Sequence, residues 1–338
     1  MGLARASAIL RRRGMTATVT RDTLKGTDSM TIIPAEGEDA RQEPFIWGLG
    51  QIVTDLHLSR EILNRTRKRP HQRELPSRAA LEHILDGLCA ALFPTHFGSC
   101  DFTDESVDYF VGNTLNHTLN ALVDQVRRGL LLQTDGEEGG EAPGTAHAYA
   151  VTKAFADRLP EIRTLLTTDL RAAYQGDPAA TSISEILLCY PGMTAIILYR
   201  LAHALYALGS RLLARLVSGI AHSRTGIDIH PGAQIGESFF IDHGTGVVIG
   251  ETAIIGKHVR LYQAVTLGAK RFPTDDSGTL IKGMARHPIL EDNVVVYAGA
   301  TILGRITVGA DSTIGGNVWL TNSVPPGSNI SQAQTRNG

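Results

Sequence analysis

The stretch Ile229-His230-Pro231-Gly232-Ala233-Gln234-Ile235-Gly236-Glu237-Ser238-Phe239-Phe240-Ile241 places an isoleucine every six residues. The same period continues at Ile249, Ile255, Leu261 and Leu267, and then at Leu290, Val296, Ile302, Val308, Ile314 and Leu320. Four positions after most of these stands a smaller or β-branched residue: Ala233, Thr245, Ala253, Val259, Val265, Val294, Ala300, Ser312 and Val318. A helix repeats near 3.6 residues and a half-buried strand at 2, so neither explains a period of six. One large and one small inward residue per unit describes a parallel β-helix, with three short faces per coil and each coil stacked on the next. Roughly thirteen units make about four coils of eighteen residues. Glycines and asparagines between the units suit corners that need left-handed backbone angles.

The period breaks twice, and an interruption in so regular a stack is where function is expected to be inserted. Two extra residues lie between Ile241 and Ile249, around Asp242-His243-Gly244-Thr245-Gly246. A longer segment from Gly268 to Ile289 leaves the coil and carries Lys270, Arg271, Lys282, Arg286 and His287. The inward positions carry neither histidine nor such charge.

At 338 residues the chain is long enough for two domains with a sizeable core. Its net charge of −2 argues against a general nucleic-acid binder. Apolar runs such as Ala195-Ile196-Ile197-Leu198-Tyr199 are far shorter than the ~20 residues of a bilayer span, so no membrane segment is expected. Cys89, Cys100 and Cys189 have no metal-like spacing, which suits a reducing cytoplasm. No two histidines have H-x4-H spacing, so no metal site is expected.

Residues 1–40 are basic and lack a long apolar pattern; they read as a disordered tail. Residues 41–225 read as helical. Leu81, Ile84, Leu85, Leu88 and Leu92 form one stripe after Ser77, and Val107, Phe110, Val111, Leu115, Leu119, Leu122, Val126 and Leu130 form another. Asp135 to Thr145 reads as a Gly- and Glu-rich linker. Pro160 suits a first helical turn, Ser182 with Glu185 has capping-box spacing, and Gly209 can end the helix through Ile197, Leu201 and Leu205. Residues 226–326 form the β-helix, with a loop at 269–287, and 327–338 form a short tail.

Six blocks in this order resemble the signature of the serine O-acetyltransferases: Gly176-Asp177-Pro178-Ala179, Asp228-Ile229-His230-Pro231, Ile241 to Gly246, Ile249-Gly250-Glu251-Thr252-Ala253, Val265-Thr266-Leu267-Gly268, and Arg286-His287-Pro288. The resemblance runs from the helical domain to about Pro326 and points to a subgroup with a long loop and a short tail. The fold class it implies is α + β: an N-terminal all-helical domain followed by a left-handed parallel β-helix of hexapeptide repeats. Transfer of acetyl from acetyl-CoA to L-serine is the implied activity, a step of cysteine biosynthesis.

His243 suits the general base, because a serine hydroxyl attacks a thioester only as its proton leaves and an imidazole titrates near neutrality. Asp228, fifteen residues earlier, falls about one coil below, where coils are about 4.8 Å apart, and can orient that imidazole. The resemblance assigns the same dyad. It also implies that Arg286 takes the substrate carboxylate, that Asp177 and Asp242 surround the ammonium and hydroxyl end, and that His287 lies by the reacting carbonyl. A backbone N–H of Gly268 or Ala269 would stabilise the oxyanion, with Ala269 standing where the family commonly has a second glycine. The CoA arm would run near Ala298 and Gly316, and Lys270, Arg271 and Lys282 either meet its phosphates or form a solvated basic loop.

The resemblance further implies a homotrimer or a hexamer built as a dimer of trimers through the helical domain, with each site shared by two chains. The ending Thr335-Arg336-Asn337-Gly338 lacks the terminal isoleucine by which relatives bind a sulfhydrylase, so that complex is not expected. Alternatives from the residues are a same-fold acetyltransferase for homoserine or a sugar, a γ-type carbonic anhydrase, and a non-catalytic scaffold.

Overall fold

The large apolar residues of the six-residue period each fall in a short strand, because an extended residue between two corners turns its side chain into the coil. The computed structural model describes residues 15–22, 27–34, 47, 49–65, 74–98, 103–133, 144–271, 275 and 277–332. The chain divides into two units, Met1–Arg73 and Glu74–Gly338.

In the first unit, β1 (Met15–Asp22) pairs antiparallel with β2 (Thr27–Pro34), and α1 (Leu49–Arg65) follows. The disorder expected over 1–40 therefore gives way to a hairpin in its middle. Thr16, Thr18, Val19 and Thr20 in β1 and Thr31, Ile32 and Ile33 in β2 supply the β-branched composition that favours strands.

The second unit holds both the helices and the β-helix, so the boundary expected at 225/226 lies inside one unit. Its helices are α2 (Arg78–Leu92), α3 (Pro94–Phe97), α4 (Asp104–Gln133), α5 (Thr145–Asp157), α6 (Leu159–Gly176), α7 (Ile183–Cys189), α8 (Pro191–Ala207) and α9 (Arg211–Thr225). Ser77 caps α2 by accepting from the Ala80 N–H at 3.2 Å, and Leu81, Ile84, Leu85, Leu88 and Leu92 are buried. Leu122, Val126 and Leu130 of the second stripe are buried as well, whereas Val107 to Leu119 are half-covered. Ser182 Oγ accepts from Glu185 N at 3.1 Å, and the Glu185 carboxylate accepts from Thr181 N at 2.7 Å. Gly209 takes φ 85° just past α8. Residues 135–143 of the expected linker lie outside the described residues, as do Cys100 and 333–338.

The coils contain β3 (Asp228–Ile229), β4 (Gln234–Ile235), β5 (Phe240–Ile241), β6 (Val248–Ile249), β7 (Ile254–Ile255), β8 (Arg260–Leu261) and β9 (Thr266–Gly268) before the long loop. After it come β10 (Ile289–Leu290), β11 (Val295–Val296), β12 (Thr301–Leu303), β13 (Thr307–Val308), β14 (Thr313–Ile314), β15 (Trp319–Leu320) and β16 (Asn329–Ile330). They stack into three parallel sheets: face one is β4-β7-β10-β13, face two β5-β8-β11-β14-β16 and face three β3-β6-β9-β12-β15. Neither break disturbs the register. Ile249 still pairs with Ile229, and Leu290 with Ile255, because the long loop leaves and rejoins the stack at the corner between faces three and one.

Three expectations about the coil need correction. Thr245 is exposed and Val247 fills its inward place, since the two extra residues push the corner outward before the chain turns in again. Gly244, Gly246, Gly299 and Gly304, with Asn293 and Asn317, take positive φ as expected, whereas Gly236, Gly250 and Gly256 do not, and Ser238, His258, Ala264 and Asp311 also occupy such corners. A Cβ on Gly256 would sit 2.8 Å from Asp292 N, and one on Gly236 2.7 Å from Gly256 O, so these glycines permit close stacking. Asn329–Ile330, expected in a free tail, pair with Thr313–Ile314 and extend face two.

One buried ion pair fastens helices to coil. Arg200 on α8 donates to both carboxylate oxygens of Asp169 on α6, at 2.7 and 2.9 Å, and to the carbonyls of Ile235 (3.1 Å) and Gly236 (2.7 Å). Asp169 also accepts from Phe239 N at 2.9 Å. Asp169→Ala leaves a buried guanidinium uncompensated and is expected to cost about 3–5 kcal/mol in urea unfolding. Combining Asp169→Leu with Arg200→Met should recover much of that loss, because an apolar pair has no charge to desolvate.

Candidate active site

Strand register decides which site residues meet. Because Ile241, Leu261, Val296 and Ile314 stack on face two, the residues that follow them line one corner, between faces two and three. That edge carries Asp242 and His243, then Tyr262 and Gln263, Tyr297 and Ala298, and Gly315 and Gly316. Asp228 opens β3 at the same corner, paired with Val248. The stacking of Ile229, Ile249 and Leu267 likewise brings His230, Gly250 with Glu251, and Gly268 with Ala269 to the opposite edge of face three. Arg286 and His287 return to that second edge. One face, about 15–20 Å wide at roughly 3.3 Å per residue, separates the two groups.

On the first edge His243 adopts φ 59°, a left-handed angle rare outside glycine, and its side chain is 74% exposed. Ser238, His258, Ala264, Asn293, Asp311 and Asn317 take the same angle elsewhere in the coil, so it belongs to the corner geometry of the stack. The extra residues of the corner thus hold an imidazole out from the stack. Its Nε2 lies 3.9 Å from Asp242 Oδ1, the one carboxylate within salt-bridge range among the described residues. Asp228 makes no hydrogen bond to His243 in this structure, although the two share the corner.

Asp177, at the end of α6, accepts from the Tyr190 hydroxyl at 2.6 Å and from Ala179 N at 2.8 Å. The phenol and then the N–H hold its carboxyl below the usual range, and the same bond pushes Tyr190 up to about 12. Buried Asp242 accepts from Arg260 Nη2 at 2.5 Å. Gly192, on α8 two residues after Tyr190, lies so close to Ile241 that an added Cβ would overlap its carbonyl oxygen. Helix α8 is thereby seated directly on the strand that precedes Asp242. This edge is acidic, with one ordered guanidinium among its carboxylates.

The second edge is built around two neutral imidazoles. Thr252 N donates to His287 Nδ1 at 3.1 Å, and Gly232 N donates to His230 Nδ1 at 2.9 Å, so in each ring Nε2 carries the proton. Burial and then the Arg286 charge bring His287 down to about 4; burial and then Arg215 do the same for His230. Arg286 pairs with Glu251 at 2.8 Å, and the Thr252 hydroxyl accepts from Arg286 N and His287 N at 2.9 and 3.1 Å. Arg305 braces the segment through the carbonyls of Thr252 (2.6 Å) and His287 (3.0 Å). Gly250 has no side chain because a Cβ there would overlap the His287 ring. Lys270, Arg271 and Lys282 are exposed on the loop. Among the described residues no three His, Cys, Asp or Glu side chains are grouped to hold a metal ion, and no single helix is long and apolar enough to cross a membrane.

A serine acetyltransferase of Synechococcus elongatus, described as plasmid, is 61% identical to this chain over 299 residues, 86% of this chain and 92% of that protein. The chain belongs to the serine acetyltransferase family. The serine acetyltransferase of Mycobacterium tuberculosis is 48% identical over 163 residues, covering 48% of this chain and 67% of its own length. Among solved structures, serine acetyltransferase 1 of Entamoeba histolytica in complex with L-cysteine matches at TM-score 0.63 and 38% identity, over 78% of this chain and 90% of that one. No protein-family model matches the chain.

Sequence reading of this family member missed Tyr190, Arg260 and Thr252, which hold the assigned residues in place. Tyr190 stands thirteen residues from Asp177 and Arg260 eighteen from Asp242, so only the fold makes them partners. Arg260 does carry one signal: it occupies an outward strand position next to the break at Asp242.

The neutral imidazoles have a consequence for stability. The folded chain keeps His230 and His287 unprotonated down to about 4, while free imidazoles bind protons below about 6.5. Their contribution is full above pH 6.5 and drains away as the pH falls through 4. Urea midpoints measured across this window should fall less steeply for the His230→Gln, His287→Gln double variant than for the unaltered chain.

Proposed function

We propose that this chain transfers the acetyl group of acetyl-CoA to the hydroxyl of L-serine, giving O-acetyl-L-serine and CoA. The observation that carries this reading is the exposed His243 imidazole, held at an inserted corner between Asp242 and the face that opens at Asp228. His243 takes the hydroxyl proton as the serine oxygen attacks the thioester carbonyl. The tetrahedral adduct collapses with cleavage of the C–S bond, and the imidazolium returns its proton to the departing thiolate. Asp228 and Asp242 are the carboxylates at this corner available to stabilise the imidazolium; hydrogen bonds of this kind are often long before substrate is bound.

Asp177 and Asp242 face the substrate ammonium, and Arg286 and His287 face its carboxylate and the reacting carbonyl. An N–H of Gly268 or Ala269 receives the oxyanion. The CoA arm follows the Ala298 and Gly316 column. Since the acidic edge and the Arg286 edge lie on opposite sides of one face, a small zwitterion cannot bridge them within one chain. Side-by-side packing of prisms in a trimer brings one edge of each against the other edge of its neighbour, and the helices offer a surface for pairing trimers into hexamers.

His243→Ala should lower turnover by about a hundred- to ten-thousandfold, with Asp228→Asn and Asp242→Asn less severe. Thiol release from acetyl-CoA is to be compared with serine, homoserine, threonine and a galactoside; a preference for any other acceptor over serine overturns the assignment. Mixing inactive His243→Ala and Arg286→Ala chains, with exchange of subunits, should restore measurable activity. A fully active monomer by light scattering would exclude the shared site.

A further inference from the structure

We propose that Arg260 is a positioning residue for substrate recognition, a clamp that fixes the Asp242 carboxylate so that its free oxygen faces the acceptor beside His243. The inference rests on the serine-acetylating reading above and adds to it the device that sets the geometry of the ammonium and hydroxyl end.

Arg260 lies on face two directly above Phe240, one coil along, and two residues before Tyr262 on the same side of the strand. Its guanidinium carbon sits 5.0 Å from the Phe240 ring centroid and 4.7 Å from that of Tyr262. Tyr262 is itself stacked on Tyr297, with centroids 4.9 Å apart and planes 9° from parallel. The aromatic column continues the coil period on the outside, so the planes that hold the guanidinium are fixed by strand register.

The roof is equally specific. Gly176, the last residue of α6, has no side chain where a Cβ would lie 3.0 Å from the Phe240 ring and 3.7 Å from Arg260 Nη1. The cation therefore lies under a helix C-terminus, where the dipole favours it. Its charge is also among the influences that keep Asp177 ionised.

The hydrogen bonding leaves one oxygen available. Arg260 Nη2 binds Asp242 Oδ2 at 2.5 Å, and Nε is buried without a partner among the described residues, so the contact uses one arm of the fork. Asp242 Oδ1, 3.9 Å from His243 Nε2, has no hydrogen-bond donor among those residues. A carboxylate anchored through one oxygen presents the other in a fixed direction, whereas an unanchored aspartate rotates about χ1 and χ2. Fixing it next to the base aligns the acceptor without any contact to the acetyl donor.

Steady-state kinetics of Arg260→Met and Arg260→Lys test the clamp, with thermal midpoints and light scattering alongside. Arg260→Met should raise KM for serine about ten- to a hundredfold, as expected for loss of a charge-assisted contact that orders a binding group, and leave KM for acetyl-CoA unchanged. Arg260→Lys should fall between Arg260→Met and the unaltered chain, restoring the charge but not the stacked plane. A wild-type KM for serine in a folded Arg260→Met variant overturns the clamp. Equal loss toward both substrates together with a lowered thermal midpoint also overturns it, by showing a merely structural role. Absence of serine-dependent thiol release from the unaltered chain would instead refute the underlying functional reading, and the clamp with it.

Discussion

The fork between Arg200 and Asp169 decides how the helices meet the β-helix. An ion pair this deeply buried is stable only when the remaining donors and acceptors are satisfied, and here they are satisfied by the coil: the carbonyls of Ile235 and Gly236 and the N–H of Phe239. A corner of the first coil thus becomes part of a polar network whose charged members come from α6 and α8. Those two helices also bear the site. Asp177 ends α6, Tyr190 precedes α8, and the two meet through a hydrogen bond of 2.6 Å. Anchoring helices to the coil by a directional pair, rather than by apolar contact alone, fixes where Asp177 lies relative to Asp242.

Stacking imposes the second constraint. Coils this close leave no room for a Cβ at Gly236, Gly250 or Gly256, and the last two spaces are taken by Asp292 and His287 from the next layer. A substitution at Gly250 therefore displaces the His287 ring as well as the coil. The same stacking converts a one-dimensional period into columns. Residues that follow the strand of face two share one edge, and residues that follow the strand of face three share the other. Asp177 and Asp242 with Arg260 lie on the first edge, and Arg286 paired with Glu251 lies with two neutral imidazoles on the second.

The chemistry of the two edges follows from solvent access. His243 projects into solvent from its corner, as the general base proposed for this reaction requires. His287 is buried, receives an N–H on Nδ1 and stays neutral to about 4, so it offers a hydrogen-bond donor at Nε2 and not a base for neutral pH. Two histidines in one family signature thereby acquire different environments.

Sequence alone determined the architecture of the coil. A period of six can be met only by a chain that turns every six residues, so Ile229 to Leu320 could be assigned to faces before any coordinates, and both interruptions were visible as breaks in that count. It also singled out His243, Arg286 and His287 as candidates for the chemistry, because they stand in the breaks. What it could not determine were relations between positions of unlike spacing. Thr245 and Val247 exchange roles because an insertion bends the corner, which counting cannot detect; Asn329–Ile330 rejoin face two after an irregular turn at Pro325-Pro326. Arg200 with Asp169, Arg260 with Asp242, and Tyr190 with Asp177 are pairings of a helix or coil residue with one 13 to 31 positions away. No local periodicity encodes such pairings, because they exist only where the fold brings together residues distant along the chain.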